Sequence, residues 1–321
     1  MIYSRIIGTG RYLPAKVVTN ADLEKVMDTT DEWIRSRSGI ERRHVAAEGE
    51  GTTDLCEHAA RAALQAAGVT AAELDMIVVG TTTPDQVFPN AGVLLQARLG
   101  AHGCPAFSVE AACTSFIYAL AVADKFVQTG AARTVLVVGA ETITRMIDWN
   151  DRATAVLFGD GAGAVVLRAD SAPGIVSTHL HADGQYKDLL YFPSGVGTGM
   201  RPVGGENSIQ MKGNEVFKVA VNTLGRIVDE TLEVNGLQKH DIDWLIPHQA
   251  NIRIIQATAR KLDMPMERVV LTVQDHGNTS AASVPMALDV AVRDGRIRSG
   301  DLLLLEAFGG GFTWGSALVR W

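Results

Sequence analysis

Three cysteines in 321 residues (Cys56, Cys104 and Cys113) are too few, and too odd in number, for a disulfide framework. Long apolar runs are missing as well. Val135-Leu-Val-Val and Leu302-Leu-Leu-Leu have the length of buried strands and fall far short of a membrane span. The opening Met1-Ile-Tyr-Ser-Arg-Ile-Ile lacks the basic start and apolar stretch of a signal peptide. Positive charge is in deficit: 29 Lys and Arg against 36 Asp and Glu leave a formal net charge of −7, which argues against general nucleic-acid binding. No Pro- or Ser-rich linker divides the chain. These absences predict a cytoplasmic protein, reduced at its cysteines, with no membrane and no nucleic-acid partner. What is present is a 47% hydrophobic composition, sufficient for a large core, and 32 glycines, a mild excess that favours tight turns.

The chain repeats itself weakly. ALQAAGVTAAELDMIVVG, around residue 64, aligns without a gap on TLEVNGLQKHDIDWLIPH, around residue 232. Leu64 then matches Leu232, Gly68 matches Gly236, Asp75 matches Asp243 and Gly80 matches His248. Each copy reads as a helix closed by glycine, a short connection and a buried strand. Downstream, with a small shift in register, Cys113-Thr-Ser and Asn278-Thr-Ser each open an apolar helix. Gly130 and Gly295 stop the two helices, and a strand follows each. Alternating strands and helices predict a largely parallel sheet covered by helices. Two copies predict an α/β protein of two halves, residues 1–171 and 172–321, in which Cys113, His248 and Asn278 all fall at strand ends or helix starts that can meet at the centre.

Cys113 lies between the strand-like PAFSVEA and a helix N-terminus, where free N–H groups and the helix dipole favour thiolate. Cys56 and Cys104 read as inert packing residues. His248 ends the strand DWLIP and is placed to donate or exchange a proton. Asn278 is a good helix N-cap, and beside His248 its amide can instead help hold an enolate oxygen. Gly159-Asp-Gly-Ala-Gly opens a strand rather than a helix, so it is not a dinucleotide cradle, and Gly8-Thr-Gly lacks the remaining glycine. Gly309-Gly-Gly follows a buried strand and can aim backbone N–H groups at a reacting carbonyl. His179 and His181 have no evident third ligand and read as structural. Arg253, Arg260 and Lys261 share one helix face, with Lys218 and Arg37 nearby, a basic patch suited to an acidic partner.

EAACTSF, PHQANIRI, HGNTSAAS and EAFGGGFTWGSALVRW closely resemble β-ketoacyl-acyl-carrier-protein synthase III, as do NADLEKVMDTTDEWIRSRSGIERRH and FGDGAGAVVL. The matches run nearly end to end in the family's order. The resemblance implies the thiolase fold, five αβαβα layers from two α/β halves, in a homodimer. It also implies that Cys113 takes an acyl group, usually acetyl, from acyl-coenzyme A. Malonyl-acyl-carrier protein then loses CO₂ while His248 and Asn278 hold its carbonyl, and the carbanion attacks acyl-Cys113. The N–H groups of Cys113 and Gly310 would form the oxyanion hole. Coenzyme A is part of a substrate, and no metal or redox cofactor is required.

By matching positions, Trp33 and Arg152 would sandwich the adenine. Thr29 and Arg37 would contact the nucleotide end and Asn251 the pantetheine. Lys218, Arg253 and Lys261 would dock the carrier protein, and Phe88 would close the partner's acyl pocket. Thr114-Ser115-Phe116 departs from the small residue, Gly and Phe that often follow the family's cysteine, so bulk at Ser115 bears on acyl preference. The five-glycine loop from Ser194 to Asn207 bears on it too. Thiolases and elongating synthases differ in their partner residues, and a plant-type polyketide synthase would lack the basic face. Specialised relatives of secondary metabolism share the whole set. A Cys-His-Asn thioester hydrolase and an idle acyl-binding protein are the readings from outside the condensing class.

Overall fold

Period-2 alternation on buried strands builds two faces at once. In Thr134–Glu141, Val135 and Val137 point into one apolar cluster while Leu136 and Val138 point into another. Leu303 and Leu305 of Leu302–Gly309 join the first cluster, and Leu302 and Leu304 a third. Both strands therefore need helices on both sides, and the chain supplies them as stacked layers. The computed structural model describes residues 2–321.

The first sheet contains β1 (Tyr3–Tyr12), β2 (Met76–Gly80), β3 (Ala106–Val109), β4 (Thr134–Glu141) and β5 (Gly161–Asp170), in the order β1-β5-β4-β2-β3. The second contains β6 (Ile175–Ala182), β7 (Trp244–Pro247), β8 (Leu302–Gly309) and β9 (Thr313–Arg320), in the order β7-β8-β9-β6. Helix α1 (Asp31–Ser38) lies outside this frame. Helices α2 (Thr52–Ala67) and α3 (Ala91–Leu99) cover the outer face of the first sheet. Between the sheets run α4 (Ser115–Gln128) and the last helix, Ser283–Arg293. Helices α5 (Gly213–Asn235) and α6 (Ile252–Lys261) cover the outer face of the second sheet, and Ser283–Arg293 is α7. The result is five layers, αβαβα. Among the described residues no helix is long and apolar enough to cross a membrane.

The sheets are mixed, not largely parallel. Pairs β2–β3, β2–β4 and β7–β8 are parallel, whereas β1–β5, β4–β5, β8–β9 and β6–β9 are antiparallel. The reason is local. Gly310 to Phe312 turn the chain straight from β8 into β9 with no helix, which permits only an antiparallel neighbour.

The sequence repeat has geometric counterparts. Gly68 and Gly236 close α2 and α5 with the same left-handed φ of 63°. The Asp75 carboxylate accepts from Arg133 N and Thr134 N at the start of β4; the Asp243 carboxylate accepts from Leu302 N at the start of β8. Downstream, however, the register does not shift at the elbows. Ala112 and Ser280 are the strained pair, with φ of 49° and 48°, and Ser115 and Ser283 open the two central helices. Cys113 thus corresponds to Ala281, and Asn278 precedes its elbow by two residues. The three-residue slip lies in the helices themselves: α4 has 14 residues and α7 has 11. Glycine at 80, the counterpart of His248, has a steric cause, since a Cβ there would come within 2.7 Å of the Ser115 backbone.

Candidate active site

Cys113 sits on the short 3₁₀ turn Ala112–Thr114 that leads into α4. The thiol is buried, with the residue 8% exposed. Burial pushes its pKa up to about 11, a hydrogen bond from Ser280 pulls it down and the nearby Glu141 charge pushes it up again. With its pKa so raised the thiol is protonated at physiological pH, although it opens a helix whose N-terminus favours thiolate. Glu141, at the end of β4, is itself buried and held near 7 by desolvation. It accepts from Thr82 Oγ1 at 3.0 Å, Thr83 Oγ1 at 2.6 Å and Ser280 Oγ at 3.3 Å. Neither Glu141 nor Ser280 stands out in the sequence, because strand-end acids and serines are common.

His248 follows β7, and its backbone N–H is tied to Glu306 O of β8 at 2.8 Å. Burial pushes its pKa down to about 4, so the ring is neutral at physiological pH. Nδ1 lies 2.5 Å from Ser283 Oγ. Asn278 is fixed by its own neighbours: Oδ1 accepts from Ser280 N at 2.9 Å, and the backbone bonds Leu157 O and Gly159 N. With Oδ1 so occupied, the amide's NH₂ end is the end left for the cavity.

Two cavities meet at Cys113. One, of about 240 Å³, is lined by Cys113, His248 and Asn278 at its inner end and by Arg37, Asn251 and Arg253 further out. The other, of about 510 Å³, runs from Cys113 past Gly310 to Ile143, Phe192 and Ile209. A nucleophile at such a junction can be approached from one side while an apolar chain occupies the other. Gly309 packs so closely that a Cβ there would come within 2.7 Å of Cys113 N. Gly310 lines the second cavity and a Cβ on it would meet Leu190 O at 2.8 Å. The Ser115 hydroxyl lines neither cavity. It accepts from Ala111 N at 2.8 Å and donates to Ala112 O at 2.7 Å, so its bulk is absorbed by the elbow rather than presented to an acyl chain.

Further out, two guanidinium groups lie over the Trp33 ring, Arg37 at 4.9 Å and Arg152 at 4.6 Å from its centroid. Arg152 stacks directly on Trp33, so a base inserted between them requires the pair to open. Asn251 caps α6: Oδ1 accepts from Arg253 N at 2.8 Å and Nδ2 donates to Arg37 O at 2.9 Å. The Thr29 hydroxyl is buried without a hydrogen-bond partner among the described residues. Lys218 is exposed on α5, and Arg253 lies over the Phe217 ring at 5.1 Å. Lys261 is not free, because Asp229 holds its ammonium at 2.6 Å. Phe88 lines neither cavity of its own chain and is 84% exposed. His179 and His181 both contact Glu230, at 3.2 and 2.8 Å, away from Cys113.

Comparisons with known proteins agree with one another. The family 3-oxoacyl-[acyl-carrier-protein] synthase III matches residues 107–184, and its C-terminal part matches residues 232–321. A β-ketoacyl-[acyl-carrier-protein] synthase III of Thioalkalivibrio sulfidiphilus is 66% identical over 321 residues, covering 100% of both chains. That of Xylella fastidiosa is 66% identical over 320 residues, covering 100% of this chain and 99% of the other. The crystal structure of 3-oxoacyl-[acyl-carrier-protein] synthase III from Aquifex aeolicus superposes with a TM-score of 0.94 at 46% identity, over 99% of this chain and 100% of that one.

Proposed function

The chain belongs to the β-ketoacyl-acyl-carrier-protein synthase III family of thiolase-fold condensing enzymes, and on that footing we propose that its reaction runs through an acyl-Cys113 intermediate. It is an acyltransferase that condenses an acyl-coenzyme A with malonyl-acyl-carrier protein in fatty-acid synthesis. The observation that carries the residue assignment is the convergence of Cys113, His248 and Asn278 on one cavity, with Cys113 shared by a second cavity that Ile143, Phe192 and Ile209 help to line.

In the first half-reaction the Cys113 sulfur attacks the acyl thioester carbonyl. An S–C bond forms, the bond to coenzyme A sulfur breaks, and the thiol proton lost by Cys113 is regained on the coenzyme A thiol. The oxyanion that forms transiently is held by the N–H groups of Cys113 and Gly310. In the second, malonyl-carrier protein occupies the cavity beside His248 and Asn278. Loss of CO₂ leaves a pair of electrons that spreads onto the thioester oxygen, and donors from the His248 ring and the Asn278 amide stabilise that charge. The carbanion carbon attacks the acyl-Cys113 carbonyl, a C–C bond forms, and the Cys113 sulfur leaves as thiolate and takes up a proton from solvent, the one proton the overall decarboxylative reaction consumes. A neutral His248 suits this work, since it donates a hydrogen bond without a proton transfer.

Coenzyme A would lie along the first cavity with its adenine at Trp33 and Arg152, its nucleotide end near Thr29 and Arg37 and its pantetheine past Asn251. The carrier protein would dock on Lys218 and Arg253, with Lys261 contributing only as far as Asp229 leaves it. The second cavity would take the starter chain, acetyl in the usual case. We read the working unit as a cytoplasmic homodimer in which the exposed Phe88 closes the partner's acyl pocket. The two sheets, built from residues 3–170 and 175–320, support a division into halves at 171/172.

Intact-protein mass spectra after mixing with a panel of acyl-coenzyme A thioesters test the assignment. A single acyl adduct is expected that is absent from Cys113→Ala and is discharged by malonyl-carrier protein. No adduct with any thioester would remove Cys113 from its role. Discharge by water as fast as by malonyl-carrier protein would make the chain a thioester hydrolase.

A further inference from the structure

The buried ring of His248 has one hydrogen-bond partner among the described residues, and it is a hydroxyl. Ser283 Oγ stands 2.5 Å from Nδ1, with Ser283 2% and His248 7% exposed. The same oxygen lies 3.3 Å from Gln249 N, whose N–H is a donor only. A serine hydroxyl owns one hydrogen and two lone pairs. The backbone N–H of Gln249 takes a lone pair, and among the described residues Nδ1 is the only acceptor in reach of the hydroxyl hydrogen. If Nδ1 carried the ring proton, two N–H donors would take both lone pairs and the hydroxyl hydrogen would be buried with no acceptor, which is costly. The one assignment that satisfies all three groups has Ser283 O–H donating to Nδ1. The ring's single proton then sits on Nε2, the atom facing the cavity.

We propose that Ser283 is the positioning residue that fixes His248 in its Nε2–H tautomer, so that the ring enters condensation as a hydrogen-bond donor and not as a base. This rests on the reading of His248 given above and adds to it the device that decides what His248 can do. Burial, which keeps the ring neutral, acts in the same direction. The first half of the chain supplies an internal control. Ser115 opens α4 as Ser283 opens α7, yet it uses its hydroxyl on Ala111 N and Ala112 O of its own elbow. The second copy has turned the same serine outward to a side chain, and only that half carries a histidine at the strand end.

A donor-only His248 also leaves the Cys113 proton to travel with the departing thiolate of coenzyme A, so the two half-reactions depend differently on Ser283. Acyl transfer to Cys113 is expected to stay close to wild type in Ser283→Ala. Decarboxylation of malonyl-carrier protein is expected to fall roughly 10²-fold, the scale on which misplacing a reacting group is felt. Ser283→Thr, which keeps a hydroxyl, is expected to recover most of that loss. In wild-type protein, ¹⁵N NMR of histidine-labelled chain, with His248 assigned from His248→Ala, is expected to show Nε2 protonated and Nδ1 bare. A protonated Nδ1 would overturn the proposal without any variant having to fold. Equal losses in both half-reactions of Ser283→Ala would reduce Ser283 to packing. A wild-type enzyme that never decarboxylates malonyl-carrier protein would instead bring down the assigned role of His248, while the tautomer measurement would still decide what Ser283 does.

Discussion

Ala112 and Ser280, 168 positions apart, hold the same left-handed backbone, with φ of 49° and 48°. Each forms the sharp elbow before a central helix, and each elbow is pressed close to the sheet. A Cβ on Gly139 would come within 2.3 Å of Ala281 O, and one on Gly80 within 2.7 Å of Ser115 C. The first elbow lifts Cys113 to the junction of the two cavities. The second places Ser280 between Cys113 and Glu141 and delivers its N–H to Asn278. Strain repeated at both elbows is part of how the site is held.

A non-glycine residue at such a φ costs about 1–2 kcal/mol, and a β-branched one more. Ala112→Val is therefore expected to lower stability by roughly 2 kcal/mol or more and to slow acylation of Cys113. Ala112→Gly relieves the strain but loosens the unfolded chain, so its melting temperature should stay near wild type. Thermal denaturation together with acyl-adduct mass spectra separates the two effects.

The thiol pKa of about 11 and the His248 pKa of about 4 make a definite alkylation profile. Between pH 7 and 10, the rate of Cys113 modification by iodoacetamide is expected to rise by about tenfold per pH unit, following the thiolate fraction. No inflection is expected near the ordinary histidine value. Glu141→Gln removes a charge that raises the thiol pKa, so the whole profile should move to lower pH.

Glu306, on β8 behind His248, is fully buried and neither carboxyl oxygen has a hydrogen-bond partner among the described residues. The Thr258 hydroxyl is near enough to act on it but does not reach hydrogen-bonding geometry. Desolvation raises its pKa from 4.5 to about 8. The folded state thus keeps this proton where the unfolded chain has lost it. The contribution is fully present below about pH 4.5 and is lost as pH rises through about 8, with a slope of at most about 1.4 kcal/mol per unit. Glu141 acts in the same direction only up to about 7. Denaturant unfolding of Glu306→Gln is expected to lack the wild-type loss of stability between pH 7 and 8.

The basic face should not act as a uniform patch. Among the described residues Arg253 makes no ion pair and reaches over Phe217, whereas Lys261 is paired with Asp229. Arg253→Ala is expected to raise the apparent KM for malonyl-carrier protein several-fold, with an effect that fades at high salt. Lys261→Ala should change it little. Steady-state kinetics at two ionic strengths distinguish the pair.

Much of this was legible in the linear chain, for physical reasons that act locally. Helix stops at Gly68 and Gly236, buried strands at 76–80 and 302–309, and Cys113 at a helix start are each dictated within a few residues, so the repeat and the α/β class follow from pattern alone. Resemblance over the whole length brought the family, and with it Cys113, His248 and Asn278. Local pattern failed where partners come from afar. It aligned Cys113 with Asn278, because the three residues missing from α7 cannot be located without knowing where its helix ends. It expected a largely parallel sheet, whereas β5 and β9 pair antiparallel with their neighbours. It expected a thiolate at Cys113 and a free ammonium at Lys261, because desolvation and Asp229 are contributed by distant segments.

The sequence by itself determined the element types, the duplication and which three side chains are proposed to react, since turn chemistry, periodicity and residue identity are written position by position. Only the tertiary structure decided what state those side chains are in. The burial that raises Cys113 and lowers His248, and the serine hydroxyl that commits the His248 proton to Nε2, arise when segments apart in the chain are packed together. Protonation and tautomer are properties of that shared, water-poor environment and not of any residue alone.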